Sequence, residues 1–423
     1  MDACPLFANE PESLDDTRYL VAMNDATGRT PYETWQQGPA RAGDLVVTVA
    51  TKPGVFAHGG LDAPSAMLAE AVAEHSASTG HRSLHLGSGN GWVPAVAKAV
   101  GYAPTAIDRY VTNAEATRRT LDAQPGAAHM VHHAALASPF VAPDSCALVT
   151  IRIATDKLGV QLAVAEAFRT LAIGGTCLLA GANDEGAKPA AKLLESVFGN
   201  AQLAAQHSGC RLLVATKRSA VAGDDTVFDN PWLDADHFHE LTVTLAETGF
   251  VASTRPGVFS WEHVDEATGI LADLMRIENG ESVIDLGCGA GILGIAASRW
   301  SPQGRVLMLD ADADAVRCAT RSAAQAGSVN VEVRASDVAS AAADARVDVV
   351  VSNPPFHLGK GTELAIPRAF IEQAYRHLAP GGRLYLVANR TLPYERLIGE
   401  CFGEVLTAHD GRRFKVIGGV RRA

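Results

Sequence analysis

Short apolar runs alternate with amphipathic segments along the second half of the chain. Apolar runs of strand length occur within 282–287, 305–312, 331–337, 347–353 and 381–389, and apolar residues at helical spacing occur within 292–300, 314–327 and 369–379. Strands that are separated by helices of this length predict a parallel sheet with helices on both faces. We therefore expect a Rossmann-like α/β fold in this half.

The first half repeats this pattern with a related sequence. TKPGVFAHGGLDAPSAML from Thr51 resembles TRPGVFSWEHVDEATGIL from Thr254, and SLHLGSGNGWVPAVAKAV from Ser83 resembles VIDLGCGAGILGIAASRW from Val283. A third pair, AFRTLAIGGTCLLAGAN and AYRHLAPGGRLYLVANR, follows in the same order. Because the order is kept over long stretches, the chain carries a duplication of a whole domain rather than short solenoid repeats.

The length of the chain agrees with two domains. Its 423 residues are too many for one ordinary hydrophobic core. The sequence from 223 to 231 contains GDD and DNP, which indicates a joint. We predict a first domain at 1–222, a linker at 223–235 and a second domain at 236–423, each with a mostly parallel sheet covered by helices.

Composition narrows the class of protein. The chain is 47% hydrophobic and 20% charged, which is typical of a globular protein. No apolar run approaches the roughly 20 residues of a membrane helix, and the acidic N-terminus lacks a leader pattern. We therefore expect a cytoplasmic protein without membrane association. The seven cysteines include no Cys-x-x-Cys pair, so neither a zinc site nor a disulfide framework is predicted.

The charge of the chain is unevenly distributed. A formal net charge of −11 argues against a general nucleic-acid binder. From Lys360 to the end, however, the sequence contains eleven basic and six acidic residues, which is a local surplus of five positive charges. These bases include Arg412, Arg413 and Lys415 beside Phe414. Two interpretations remain open: a solvated surface, or a small patch that contacts phosphate groups.

A glycine-rich turn follows the strand within 282–287. Gly287, Gly289 and Gly291 permit a tight turn and let the backbone approach a ligand closely. Asp310, at the end of the next strand, can accept hydrogen bonds from ribose hydroxyls. Both a dinucleotide and S-adenosylmethionine fit such a turn. The dinucleotide spacing G-x-G-x-x-G fails when counted from Gly287 but is met from Gly289 through Gly294, so glycine spacing alone leaves both cofactors open.

The strand within 347–353 ends abruptly at Asn353, Pro354, Pro355 and Phe356, because proline cannot donate to a sheet ladder. An exocyclic amine on a base is a poor nucleophile, and its two hydrogens need acceptors while its nitrogen attacks a methyl group. The Asn353 side-chain oxygen and the Pro354 carbonyl supply two rigid acceptors. Phe356 can stack on the base. The segment therefore predicts catalysis at an amine.

Two of these motifs resemble those of class I methyltransferases. DLGCGAG, from Asp285 to Gly291, resembles motif I, whose acid faces the methionine amino group of S-adenosylmethionine. Asp337 stands where that family contacts the adenine, and Ala311 follows the acid that faces the ribose. NPPF resembles the (N/D)PP(Y/F) signature of enzymes that methylate adenine N6, guanine N2 or glutamine N5. This signature favours S-adenosylmethionine over a dinucleotide.

A more specific resemblance covers about Asp236 to Arg422. PGVFSWEHVD, DLGCGAGILG, SNPPFHLG, RHLAPGGRLYLVAN, LPYERLIGECFG and RRFKV occur in the order seen in the RsmC/RlmG group of bacterial ribosomal RNA guanine-N2 methyltransferases. That group also carries an N-terminal methyltransferase-like domain without catalysis. The resemblance implies two tandem class I methyltransferase domains, of which the second methylates guanine N2 in ribosomal RNA, that of the small subunit being expected. The implied partner is ribosomal RNA or a ribosomal subunit, and we expect a monomer.

The motifs and the resemblance together assign roles to individual residues. Catalysis is expected at Asn353, Pro354 and Phe356. Cofactor binding is expected at Asp285, Gly287, Gly289, Gly291, Asp310, Ala311, Asp337 and Asp265. Asp265 has two compatible roles, as a helix cap and at the methionine end of the cofactor. Two other functions remain open: methylation of a protein glutamine or of adenine N6, and an RNA-binding assembly factor with relic methyltransferase domains.

The first half departs from the active pattern. His85 stands where the second half has Asp285, and TIRIATDK from Thr150 replaces SNPPFHLG. Asp108 and the three glycines of the turn remain. Without the Asn-Pro-Pro-Phe segment, no methyl transfer is expected in this half. The resemblance implies that this half holds RNA or supports the second half, and whether it binds a nucleoside stays open. We predict that one S-adenosylmethionine binds per chain, in the second half.

Overall fold

The structure is a computed structural model that describes residues 30–60, 62–75, 81–153, 156–245, 248–355 and 364–422. Within these residues lie two seven-stranded sheets and two separate two-stranded hairpins. Phe356 and Lys360, on which predictions were made, fall outside the described residues. None of the helices in the described ranges is long and apolar enough to cross a membrane.

The first half contains one hairpin and one sheet. Its strands are β1 (Gln36–Ala42), β2 (Leu45–Thr51), β3 (Arg82–Leu86), β4 (Ala103–Asp108), β5 (Met130–His133), β6 (Cys146–Arg152), β7 (Leu171–Ala182), β8 (Gln202–His207) and β9 (Cys210–Thr216). Its helices are α1 (Ala63–Glu74), α2 (Trp92–Ala99), α3 (Val111–Asp122), α4 (Lys157–Thr170) and α5 (Ala187–Phe198), with 3-10 helices at Pro31–Glu33 and Asn183–Glu185.

The second half repeats this series of elements. Its strands are β10 (His239–Leu245), β11 (Thr248–Thr254), β12 (Val283–Leu286), β13 (Val306–Asp310), β14 (Val331–Ala335), β15 (Val347–Ser352), β16 (Leu378–Asn389), β17 (Leu406–Asp410) and β18 (Phe414–Val420). Its helices are α6 (Glu266–Leu274), α7 (Ile292–Trp300), α8 (Ala313–Gln325), α9 (Ala365–His377) and α10 (Tyr394–Phe402), with a 3-10 helix at Ser340–Ala342.

The two sheets have the same strand order. The first runs β5-β4-β3-β6-β7-β9-β8 and the second runs β14-β13-β12-β15-β16-β18-β17. Five neighbouring strands of each sheet are parallel, and the last two are antiparallel. The prediction of two tandem Rossmann-like α/β domains is therefore confirmed. The hairpins β1–β2 and β10–β11, which precede the two sheets, were not foreseen from the apolar pattern.

Burial on both faces explains the apolar strands at the centre of the second sheet. Val349, Val350 and Val351 of β15 are fully buried, as expected for a central parallel strand. In β12, Ile284 packs into the core that contains α9, whereas Val283 packs into the core that contains α7. Each fully buried valine contributes roughly 1.5 kcal/mol or more. This packing brings the carboxyl ends of β12 to β15 to one edge, where α/β folds bind ligands.

The two halves meet at equivalent edges of their sheets. Tyr110, which follows β4, forms an antiparallel bridge with Asp312, which follows β13. Arg109 forms an ion pair with Asp312 at 2.7 Å, and the Val111 N–H donates to the Ala311 carbonyl at 2.8 Å. Two 3-10 helices, Thr226–Asp229 and Pro231–Leu233, lie within the predicted linker. The limits of the two domains stay a prediction.

Candidate active site

The glycine turn connects β12 to α7 and leaves open space at its centre. Gly287, Gly289 and Gly291 have φ angles of 75°, 54° and 83°, which a residue with a Cβ rarely adopts. A Cβ at Gly291 would lie 3.1 Å from Met308 Cε and 3.2 Å from Ala319 Cβ, whereas a Cβ at Gly289 would meet nothing within 4 Å. Gly291 therefore serves close packing, and Gly289 faces space that a ligand can enter.

Asp310 and Ala311 form the neighbouring side of this space. The Asp310 carboxylate accepts hydrogen bonds from the backbone N–H groups of Gly289 at 2.8 Å and Asp312 at 2.9 Å. Burial, followed by the nearby Asp312 carboxylate, raises the pKa of Asp310 to about 6. The Ala311 carbonyl accepts from the Val111 N–H and lies 2.9 Å from His133 Nε2, so residues of the first half hold this edge of the site.

Asp285 has an unsatisfied oxygen beneath the turn. Its side chain is buried, and Oδ2 accepts a hydrogen bond from the Gly294 N–H at 2.8 Å. No residue in the described ranges donates to its buried Oδ1. Burial raises the pKa of Asp285 to about 7. An unpaired buried carboxylate is costly, and an ammonium group such as the one on methionine is the kind of partner that satisfies it. The residues at this turn therefore fit S-adenosylmethionine.

Asn353 presents a free oxygen at the end of β15. Its Nδ2 donates to Asp265 Oδ2 at 3.1 Å and to Thr268 Oγ1 at 2.9 Å. Because the carboxylate only accepts, this contact assigns the amide nitrogen to the Asp265 side. Asn353 Oδ1 is buried and accepts no hydrogen bond from any residue that the structure describes. The amide is thus held in one orientation, with its acceptor unpaired.

Asp265 holds Asn353 from the start of α6. It is the N-cap of this helix and accepts the Thr268 N–H at 2.9 Å. The same Oδ2 atom receives Asn353 Nδ2. Its predicted contact with the cofactor stays a prediction, whereas its contact with Asn353 was not anticipated. Thr268 was also missed, although its position three residues after a candidate cap was a usable signal.

Asp337 follows β14 and is bonded to the first half of the chain. Its Oδ1 accepts the Tyr32 hydroxyl at 2.6 Å, and its Oδ2 forms an ion pair with Lys52 Nζ. Tyr32 and Lys52 are both buried. The sequence indicated neither partner, because Tyr32 lies 305 positions away along the chain. The adenine contact proposed for Asp337 stays a prediction.

The equivalent site in the first half is filled by its own side chains. In the sheet register His85 pairs with Thr150 as Asp285 pairs with Val351. Arg152 therefore occupies the position of Asn353, one residue later than the alignment of TIRIATDK with SNPPFHLG predicts. The His85 ring nitrogens contact Thr150 Oγ1 at 2.8 Å and Ser83 Oγ at 2.9 Å. Burial lowers the pKa of His85 to about 3. His85 is therefore neutral and has partners for both nitrogens, unlike Asp285.

Arg152 closes the part of the first half that corresponds to the Asn353 site. Its side chain is 9% exposed, and its guanidinium forms ion pairs with Asp62 at 2.7 Å and Glu185 at 2.9 Å. Phe56 covers the turn, because a Cβ at Gly89 would lie 3.4 Å from Phe56 Cδ1. The remaining cavity measures about 20 Å³, which is room for roughly one water molecule. It does not have room for a nucleoside.

The basic residues near the chain end divide into exposed and buried ones. Arg412 and Arg413 are exposed, and Arg413 forms an ion pair with Glu266 at 2.6 Å, one residue from Asp265. Lys415 is instead 4% exposed and donates to the Leu392 carbonyl at 2.6 Å. The expectation that Lys415 belongs to a surface patch is therefore wrong, because β18 turns it inward.

Comparison with known proteins identifies relatives of both halves. The methyltransferase small domain family matches residues 46–214 and 249–418. The ribosomal RNA small subunit methyltransferase C of Escherichia coli (strain ATCC 8739) is 40% identical over 187 residues, which cover 44% of this chain and 53% of that protein. The protein of the same name from Escherichia fergusonii matches to the same extent. The chain thus spans about half the length of the curated relatives it matches.

One solved structure resembles nearly the whole chain. The Thermus thermophilus 16S rRNA N2 G1207 methyltransferase, solved in complex with AdoMet and guanosine, superposes with a TM-score of 0.76 at 24% sequence identity. The alignment covers 92% of this chain and 98% of that one. The similarity therefore extends over both halves and their arrangement.

Proposed function

Because the chain belongs to the methyltransferase small domain family, we propose that its second half transfers a methyl group from S-adenosylmethionine to the N2 amine of a guanine in ribosomal RNA, of the small subunit. The observation that carries this proposal is Asn353, whose Nδ2 is anchored and whose buried Oδ1 has no partner in the described part of the chain. The curated relatives are named as ribosomal RNA small subunit methyltransferases, and this supports the choice of substrate.

The residues at the edge formed by β12, β13 and β14 would hold the cofactor. Asp285 would accept the methionine ammonium, the glycine turn would let the backbone approach the cofactor, and Asp310 and Ala311 would contact the ribose. Asp337 would accept the adenine amine, and Asp265 would contact the methionine end. When bound, S-adenosylmethionine supplies an electrophilic methyl group on its sulfonium. Because Asp285 Oδ1 has no partner among the described residues, the ammonium would supply the hydrogen-bond donor that this oxygen lacks.

Catalysis consists mainly of holding the amine in position. The target guanine is extruded from its stack to reach the site, and Phe356 stacks on it. Asn353 Oδ1 accepts one N2 hydrogen and the Pro354 carbonyl accepts the other, which directs the nitrogen lone pair at the methyl group. The acceptors are aligned before the reaction, where positive charge develops on the nitrogen. The surplus proton leaves after transfer, so no general base is needed.

The first half has no catalytic role in this proposal. Its Arg152 ion pairs and the cavity of about 20 Å³ leave no room for a cofactor. It supports the second half and contributes to RNA binding. We propose that the protein acts as a cytoplasmic monomer on ribosomal RNA or on a ribosomal subunit.

The decisive experiment maps methylated nucleosides by mass spectrometry in ribosomal RNA from cells with and without the gene. We expect one N2-methylguanosine of the small subunit to disappear and to return with the wild-type gene but not with Asn353→Ala. Purified protein should methylate that guanine in RNA or subunits from the deletion strain. Methylation of a release-factor glutamine or of adenine N6 instead would overturn the proposal, as would tight cofactor binding without any methylated product.

A further inference from the structure

Both oxygens of Asp337 are held by residues of the first half. The Tyr32 hydroxyl donates to Oδ1 at 2.6 Å and the Lys52 ammonium pairs with Oδ2. Tyr32 and Lys52 are 6% and 3% exposed, whereas 19% of the Asp337 side chain remains exposed. The carboxylate therefore has two buried partners on one side and an accessible surface on the other.

The two partners are themselves fixed in place. Lys52 Nζ lies 3.9 Å from the centroid of the Tyr32 ring and 3.3 Å from the Tyr32 carbonyl. A Cβ at Gly54 would lie 2.6 Å from the Tyr32 hydroxyl, so glycine at this position admits the ring. Burial raises the pKa of the Tyr32 phenol, which keeps it protonated and able to donate. This is a preorganised arrangement rather than a solvated surface pair.

The backbone beside Asp337 supports a role for this loop in binding. Val338 has a φ angle of 52°, a left-handed conformation that is an outlier for a β-branched residue. Such a strained conformation persists where the surroundings enforce it, often at ligand sites. The Ala311 carbonyl is likewise held by Val111 and His133 of the first half. The first half thus contacts two of the eight residues proposed to bind the cofactor.

From this geometry we infer that Tyr32 and Lys52 are positioning residues, through which the non-catalytic half completes the adenine pocket of the catalytic half. They orient the Asp337 carboxylate, so that it accepts the adenine amine. A carboxylate offers about four acceptor sites, and Tyr32 and Lys52 occupy two of them. The inference rests on the proposed function, because it takes the adenine contact of Asp337 as given.

The competing explanation is that these contacts only join the two halves. The chain offers a matched control in Glu33, which lies in the same 3-10 helix as Tyr32 and pairs with Arg376 of α9 in the second half. Glu33→Gln weakens the same interface without touching Asp337. A purely structural role predicts similar effects for Tyr32→Phe, Lys52→Met and Glu33→Gln.

The test compares two ligands that differ only in the base. Calorimetry on the full chain measures the affinities of S-adenosyl-L-homocysteine and S-inosyl-L-homocysteine. In the inosyl ligand a carbonyl oxygen replaces the adenine amine and the ring nitrogen N1 carries a hydrogen. The wild type should prefer the adenosyl ligand, because the inosyl oxygen faces a carboxylate. Tyr32→Phe and Lys52→Met should reduce this preference by about tenfold, as loss of an ordered acceptor predicts, whereas Glu33→Gln should keep it. Thermal unfolding reports the stability of each variant.

Several results would overturn the inference. They are an unchanged preference in both Tyr32→Phe and Lys52→Met, an equal loss of preference in Glu33→Gln, and a wild type that binds both ligands equally. If Lys52→Met does not fold, Tyr32→Phe alone decides, because it removes a single hydroxyl. Failure of the proposed function has a different signature: the wild type then binds neither ligand or methylates no RNA.

Discussion

Asn353 and Arg152 occupy equivalent strand ends and have opposite consequences. Arg152 satisfies its donors with Asp62 and Glu185 within the first half, so its site is complete without a ligand. Asn353 satisfies its two donors with Asp265 and Thr268 but leaves its acceptor unpaired. Unpaired buried polar atoms are rare in folded proteins. The unpaired oxygen of Asn353 therefore indicates a ligand in the second half, whereas Arg152 leaves no such atom in the first half.

Replacement of Asn353 by alanine should remove the acceptor that acts on the amine. We expect turnover to fall about 100- to 1000-fold, as for loss of one preorganised hydrogen-bonding group, with little change in S-adenosylmethionine affinity. Thr268→Val should cause a smaller loss, because Asp265 still anchors the amide nitrogen. Single-turnover kinetics measures the rate of methyl transfer, and calorimetry measures the affinity for S-adenosylmethionine. Turnover within a few-fold of wild type in Asn353→Ala would remove the role given to this residue.

The raised pKa of Asp285 predicts a pH dependence of cofactor binding. Its carboxyl has a pKa of about 7 in the folded protein against the ordinary value of 3.8, so it is largely protonated below pH 7. Since the ammonium needs the ionised form, affinity for S-adenosylmethionine should fall about tenfold per pH unit below pH 7. Asp285→Asn should bind weakly at every pH, and Asn353→Ala should keep the wild-type profile. A flat wild-type profile in calorimetry from pH 5.5 to 8.5 would contradict the assignment.

The raised pKa of Asp285 also predicts how the free energy of unfolding changes with pH. Because the folded pKa lies above the unfolded one, folding favours the protonated carboxyl. The contribution of Asp285 to the free energy of unfolding therefore declines from about pH 4 to about pH 7, by on the order of 1 kcal/mol per unit, and stays constant above. Urea unfolding of wild type and Asp285→Asn should diverge over this range in the absence of cofactor. Parallel curves of unfolding free energy against pH would show that burial does not shift the pKa of Asp285.

At the scale of elements, the same turn is covered in one half and open in the other. Phe56 packs over Gly89, and its backbone N–H donates to Asn113 Oδ1 at 2.9 Å. Phe56 is 43% exposed and Phe259, the equivalent residue of the second repeat, is 55% exposed. Only Phe56, however, lies within 4 Å of a Cβ placed on the central glycine of its turn. The space beside Gly289 is correspondingly empty of protein atoms within 4 Å. Two copies of one strand–turn–helix unit thus differ in access to the turn.

A matched pair of substitutions tests this difference. Gly89 and Gly289 have nearly the same φ angles, 57° and 54°, so alanine should cause similar backbone strain at both positions. We expect Gly289→Ala to weaken S-adenosylmethionine binding by tenfold or more, since its methyl group enters the proposed cofactor space. Gly89→Ala should leave binding unchanged, with one cofactor per chain in the wild type. Two equivalent sites in calorimetry would refute the prediction.

At the scale of the whole molecule, most of the basic side chains near the chain end are paired. Arg368, Arg383 and Arg396 form ion pairs with glutamates. Exposed pairs of this kind contribute little to stability, but they reduce the charge available to phosphates. Arg413 is paired with Glu266, which directly follows Asp265 in the sequence. No described residue forms an ion pair with Arg412, which directly precedes Arg413. An acidic chain whose basic side chains near the chain end are mostly paired should bind naked RNA weakly.

RNA affinity should therefore depend modestly on salt and on these two arginines. Arg412→Ala with Arg413→Ala should lower affinity and reduce the slope of log affinity against log salt by about one to two, because each lost phosphate contact releases about one counterion fewer. The matched control is Arg396→Ala with Arg422→Ala, which removes exposed arginines paired with Glu400 and Glu404. Titrations at several salt concentrations measure both quantities. Equal affinities and parallel slopes for the first double variant and wild type would indicate that the pair is a solvated surface.

Much of this protein was determined by local sequence. Apolar runs of strand length between amphipathic helices predicted the five parallel strands of the second sheet, because burial on two faces requires continuous apolar residues. The antiparallel strands β17 and β18 were not predicted. The glycine turn, Asp310 and Asn353 were predicted from their places at strand ends, and Asp285 from the resemblance of its segment to motif I. The roles of these residues stay predictions. Repetition of the whole series indicated two domains.

Only the tertiary structure decided which of these groups have partners. The unpaired oxygens of Asp285 and Asn353, the closed site around Arg152 and the inward direction of Lys415 depend on neighbours from other elements. The contact of Asp337 with Tyr32 joins residues 305 positions apart. A hydrogen bond requires atoms within about 3 Å of each other, and separation along the chain does not determine that distance. The packing of one half against the other therefore brings Tyr32 and Lys52 to Asp337.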